Sequence, residues 1–79
     1  MYLREFVYSI DEINPIYIYD VLRYDHERWW YVCNEYEFSG IKPDTDQRVY
    51  KHHRTMIIPR EDFMKMNIFL KSDFIIGRG

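Results

Sequence analysis

Alanine is absent from the 79 residues, cysteine occurs once, and glycine and proline occur three times each. Each shortage excludes something. Alanine is the residue most at ease in a helix, so its absence argues against a helical bundle, and aromatic and β-branched side chains suit a pleated, half-buried surface instead. A lone Cys33 cannot close an internal disulfide, and with no signal peptide at the N-terminus the chain reads as a protein of the reducing cytoplasm. No apolar run approaches the roughly 20 residues that a membrane helix requires, so no membrane partner is expected. The net charge of −2, from 13 acidic and 11 basic side chains, is too near neutral to announce DNA, RNA or an anionic membrane, although it leaves room for a local patch.

What is present is eight tyrosines, five phenylalanines, two tryptophans and ten isoleucines. A chain of this length makes one domain, residues 1–79, and buries only roughly 60% of the surface its unfolded form exposes, so its margin of stability is small. Aromatic side chains, each able to bury on the order of 150–250 Å², offset that handicap without disulfides or metals. Abundant Ile, Tyr, Phe and Met without alanine also fits an AT-rich gene, as in a bacteriophage or mobile element or in a low-GC bacterium.

Alternation sets out the strands. Residues 1–10 read as a first strand, and Pro15 breaks the pattern with a turn over 11–15. Residues 16–24 form the strongest strand, with Asp20 on its Ile/Leu face, which implies a bulge, a strand end or a specific hydrogen bond. Asp25-His26-Glu27 reads as a hairpin loop, 28–38 as the returning strand, and 39–47 as the longest loop. Residues 48–58 form a strand that Pro59 ends, and 60–66, with acids in the first turn, suit a short helix. Residues 67–76 fit either an extension of that helix or a last strand, and 77–79 a frayed end. The expected fold is mainly β (or α+β), a small, strongly bent antiparallel sheet or an SH3-like or OB-like barrel of four or five strands with one short helix.

No arrangement of residues reaches a catalytic or cofactor signature. His52 and His53 are adjacent on a strand and point to opposite faces, so they are poorly placed to share a metal. Asp25, His26 and Glu27 near Cys33 could be arranged as a nucleophile with a base, but a hairpin loop gives little shelter, and a mid-strand cysteine acts as a small hydrophobe. Glu35 and Glu37 share a strand face without room for a sugar-binding cleft. Asp44-Thr45-Asp46 lacks the glycine and distal glutamate of a calcium loop. The expectation is therefore no enzyme, no cofactor and no metal.

Two binding readings follow. The chain carries 17 Trp, Tyr and Arg residues, the types enriched at binding hot spots and more than its core was expected to enclose. Arg23, Tyr24, Arg28, Trp29 and Tyr31 cluster at the expected hairpin and mark a surface for another protein, host or self, the latter as a homodimer. The first functional expectation is a small inhibitor or adaptor of the kind mobile elements use, acting by steric occlusion. The second is single-stranded nucleic-acid binding through Arg48, Tyr50, Lys51, His53 and Arg54, where a basic groove with aromatic platforms would hold stacked bases.

Overall fold

Two four-residue strands, Asn67–Leu70 and Phe74–Gly77, lie at opposite edges of one six-stranded sheet although only the 3-10 turn Lys71–Asp73 separates them. In the computed structural model, which describes residues 5–77, they are β5 and β6. The others are β1 (Phe6–Ser9), β2 (Tyr17–Asp25), β3 (Trp30–Ile41) and β4 (Arg48–Pro59), with the single-turn helix α1 (Arg60–Phe63) between β4 and β5. The spatial order is β5-β1-β2-β3-β4-β6, antiparallel except for the parallel β4–β6 pair. A flat sheet would hold its edges far apart at about 4.8 Å per strand, so a three-residue link demands curvature. The sheet meets that demand by curling 216° into a half-barrel.

Irregularities in the three long strands accommodate the bend. The β2–β3 register shifts between Val21 and Arg23, and the β3–β4 register shifts at Glu35/Tyr36 and at Phe38/Gly40. Each extra residue bends its strand and increases local twist. Beyond the curled part, β2, β3 and β4 run on as a three-stranded extension, which gives the molecule its 44 × 23 × 20 Å shape.

Both faces of the sheet carry a core, because neither alternating set of side chains is polar. The inner cluster is Val7, Ile18 and Tyr50, packed with Tyr36, Phe38, Phe69, Phe74 and Ile76, so that every strand contributes. Phe74 is the hub, its ring 5.8 Å from Phe69 on the far edge and 5.1 Å from Tyr50 on its neighbour. The outer cluster is Tyr8, Tyr19, Cys33, Ile58 and Phe63, the last supplied by α1 as the segment after Pro59 crosses this face. Rings there are shared between elements: Tyr24 lies 4.7 Å from Tyr31, Tyr31 stacks 4.0 Å from Phe63, and Phe63 lies 4.5 Å from Tyr8.

Polar clamps fix the edges. The Lys71 amide donates to the Glu5 carbonyl at 2.8 Å, and Lys71 Nζ pairs with Asp20 Oδ2 at 3.1 Å. Asp20 thus has both a specific partner and a bulge beside it. The turn before β2 is held by the buried Ser9, whose hydroxyl donates to the Tyr17 carbonyl at 2.7 Å, and by the buried Pro15. The Pro15 carbonyl accepts from the Tyr50 hydroxyl and from Arg48 Nη2.

The bent β fold with one short helix is as expected, with two corrections. The described residues form six strands, because Lys71-Ser72-Asp73 divides residues 67–76 into two pieces that serve opposite edges. The longest loop starts at Lys42, since β3 continues through Ile41 across its bulge at Ser39. The first four residues of the expected first strand and the last two of the frayed end lie outside the described residues. Replacing Tyr50 with Phe keeps the ring and removes one donor from Pro15, which Arg48 still serves. The expected loss is about 1 kcal/mol in urea unfolding, whereas Tyr50→Ala should cost about 3–5 kcal/mol.

Candidate interaction surface

The β2–β3 hairpin is closed by its own side chains. Asp25 Oδ1 accepts from the amides of Glu27 (3.0 Å) and Arg28 (3.2 Å), its Oδ2 pairs with Arg28 Nη1 at 2.9 Å, and its carbonyl accepts from the Trp29 amide at 2.9 Å. These donors hold the Asp25 carboxyl below its ordinary pKa, the Arg28 side chain contributing most. The turn leaves Trp29 at φ 58°, in the left-handed region where bulky residues are rare. Arg60, at the start of α1, locks it there by donating its amide to the Trp29 carbonyl at 2.9 Å.

The consequence is an indole held outward. Trp29 is 63% exposed and is the sole ring-bearing residue among the exposed large hydrophobics of the described chain. The Arg60 guanidinium sits 5.6 Å from its ring centre, and that of Arg28 lies 5.8 Å from Trp30. Arg28, Trp29, Pro59, Arg60, Glu61 and Met64 line an open groove of about 460 Å³. A second groove, of about 390 Å³ and more apolar, includes Ile10, Tyr19, Met56, Ile58, Pro59 and Met66 in its lining. Pro59 borders both.

The five residues expected to meet a protein partner therefore divide. Arg28 and Trp29 share the first groove, and Arg23 is exposed beside the β2 bulge. Tyr24 and Tyr31 are half-buried in the ring stack on Phe63. Arg60 and Met64 were missed, because a short helix that brings its first residue back to a distant hairpin leaves no local pattern.

The basic stretch of β4 is largely committed within the molecule. Tyr50 is fully buried and offers no platform to a base. Arg48 lies 4.0 Å over the Phe38 ring and bonds Pro15. Arg54 Nε donates to Glu35 Oε1 at 2.8 Å, with His53 Nε2 at 3.8 Å from the same oxygen. His52 instead faces Asn34 Oδ1 at 3.2 Å, so the two imidazoles go separate ways. Lys51 is exposed.

Glu35, 3% exposed, is the one buried carboxylate of the described residues, and its second oxygen accepts from the Tyr19 hydroxyl at 2.6 Å. Burial, then this hydrogen bond, pushes the Tyr19 phenol well above its ordinary range. Such a network is satisfied, and it is closed by Arg54 on the outside. Cys33, enclosed under the outer cluster, has its thiol pushed up to about 12 by burial, so it is a packing residue in this state. No family model matches the chain, and neither a curated protein nor a solved structure matches it.

The raised Cys33 and Tyr19 groups make stability depend on alkaline pH. From about pH 9 upward the unfolded chain releases protons that the folded chain retains, so the stability they contribute is complete below that point and declines as pH rises toward 12. The urea midpoint should fall between pH 8 and pH 10.5, and Cys33 should resist thiol reagents until the chain unfolds. A flat midpoint with rapid labelling at pH 8 would contradict this picture.

Proposed function

We propose that the protein is a small, non-enzymatic module that binds another protein through the hairpin end, occluding part of that partner's surface as an inhibitor or adaptor does. The observation that carries this reading is Trp29. A bulky side chain in the left-handed region costs about 1–2 kcal/mol, a cost that glycine at the same position would avoid. The fold has no visible need for the ring, which is mostly in solvent. Strain that only presents a side chain is best explained by what the side chain meets. With its neighbours Arg28, Arg60 and Met64, the indole combines the guanidinium, aromatic and thioether chemistry typical of interface centres. An origin in a mobile element and a cytoplasmic setting belong to the same proposal.

Trp29→Gly separates the two roles a residue can play. Relief of strain and the added flexibility of glycine nearly offset each other, so thermal or urea stability should stay within about 1 kcal/mol of the parent. Proteins retained by the tagged parent in nuclease-treated host lysate should be lost from Trp29→Gly and from a variant also lacking Arg28. Retention at full strength would place the binding surface elsewhere, and unfolding of Trp29→Gly would make the indole structural.

A further inference from the structure

We infer that the outer edge of β4 is a self-association site, at which the stretch Arg54–Ile58 pairs antiparallel with the same stretch of a second copy. β6 lies beside β4 only from Arg48 to Lys51. From His52 to Pro59, among the described residues, β4 has β3 on one side and no strand on the other. An edge of this kind presents unpaired amides and carbonyls to any strand that fits. The usable ladder is bounded at one end by the bulge that passes over His53 and at the other by Pro59, which has no amide hydrogen. Between them lie Arg54, Thr55, Met56, Ile57 and Ile58.

The bounds of the ladder make it symmetric about Met56 and so fit for a second copy, and charge bears on the direction in which that copy enters. The cations of this strand, through Arg54, precede its apolar residues, and the stretch holds no acid. A parallel second copy would set the basic residues beside their own equivalents. An antiparallel copy sets Arg54, the one cation of the ladder, against an apolar residue instead. A two-fold axis normal to the sheet must place residues of the same face opposite one another, and the bounds of the ladder centre it on Met56. Met56 then faces Met56, Thr55 faces Ile57, and Arg54 faces Ile58, with no like charges opposed.

The pairing also covers apolar surface that the monomer leaves wet. Ile57 is 45% exposed, and it is brought against Thr55 of the second copy on the face opposite Met56. The more apolar of the two grooves runs along Met56, Ile57 and Ile58, so it opens at this edge. A five-residue ladder with flanking side chains falls below the roughly 1,200 Å² of stable interfaces, so the dimer is weak, with a Kd between about 1 μM and 1 mM. The edge meets the Trp29 groove only at Pro59, and residues 54–58 do not line that groove.

Sedimentation of the parent over that concentration range should show a monomer–dimer equilibrium, and Ile57→Lys, at an exposed position, should weaken it at least tenfold. Register is read by oxidation: a mixture of Thr55→Cys and Ile57→Cys chains should give a mixed disulfide dimer in higher yield than either chain alone. Arg54→Cys should give none, because its equivalents lie four residues apart along the ladder. Trp29→Gly should dimerise like the parent, which keeps this result independent of partner capture. A parent that stays monomeric to about 1 mM, or single-variant disulfides that form as readily as the mixed one, would overturn the inference.

Discussion

The short tether between β5 and β6 is the constraint from which the rest follows. Three residues join opposite edges of a six-stranded sheet, and the first of them, Lys71, is pinned to Glu5 and Asp20 on the β5 side. An open sheet would carry β4 out of reach of β6, so the sheet curls, and the bulges in β2, β3 and β4 supply the bend. Curling lets one small face be lined by all six strands, which is how a chain of this length assembles an enclosed inner cluster around Tyr50. It also leaves the far halves of β2, β3 and β4 projecting as an extension that needs α1 to cover one face.

Aromatic composition finds its use in that two-faced arrangement. The expectation that surplus rings would face outward is met only at Trp29 among the described residues, for the other Trp, Tyr and Phe rings are buried or half-buried. Side chains left wet are chiefly aliphatic, including Ile10, Ile13, Ile68 and Leu70. A ring with two usable faces can serve two elements at once, as Phe63 does between Tyr8 and Tyr31. An isoleucine on the rim of a strongly curled sheet has no such second neighbour.

Much of the fold was legible in the chain because period-two alternation is a local property. Strands β2 and β4, the break at Pro15 and the stop at Pro59 all follow from it. The split of residues 67–76 was not legible, since Phe69 and Phe74 lie on different strands yet the same inner face, and only the tertiary curl decides that. The candidate site was half legible. Arg28 and Trp29 stood out by type and by their hairpin position, but the left-handed turn at Trp29 carries no glycine or asparagine to mark it. Arg60 reaches the site through a crossing that no spacing rule describes. The basic run of β4 looked like a patch because its acids are supplied by Glu35 on the neighbouring strand and its carbonyl acceptor by Pro15 in a loop.

Closure of the sheet by its edges is most directly tested through the Phe74 ring. Nuclear Overhauser contacts from Phe74 should reach both Tyr50 on β4 and Phe69 on β5, at ring separations of 5.1 and 5.8 Å. Contacts to Tyr50 alone, with Phe69 free in solvent, would mean that the two edges part in solution and that the curled core does not exist as described.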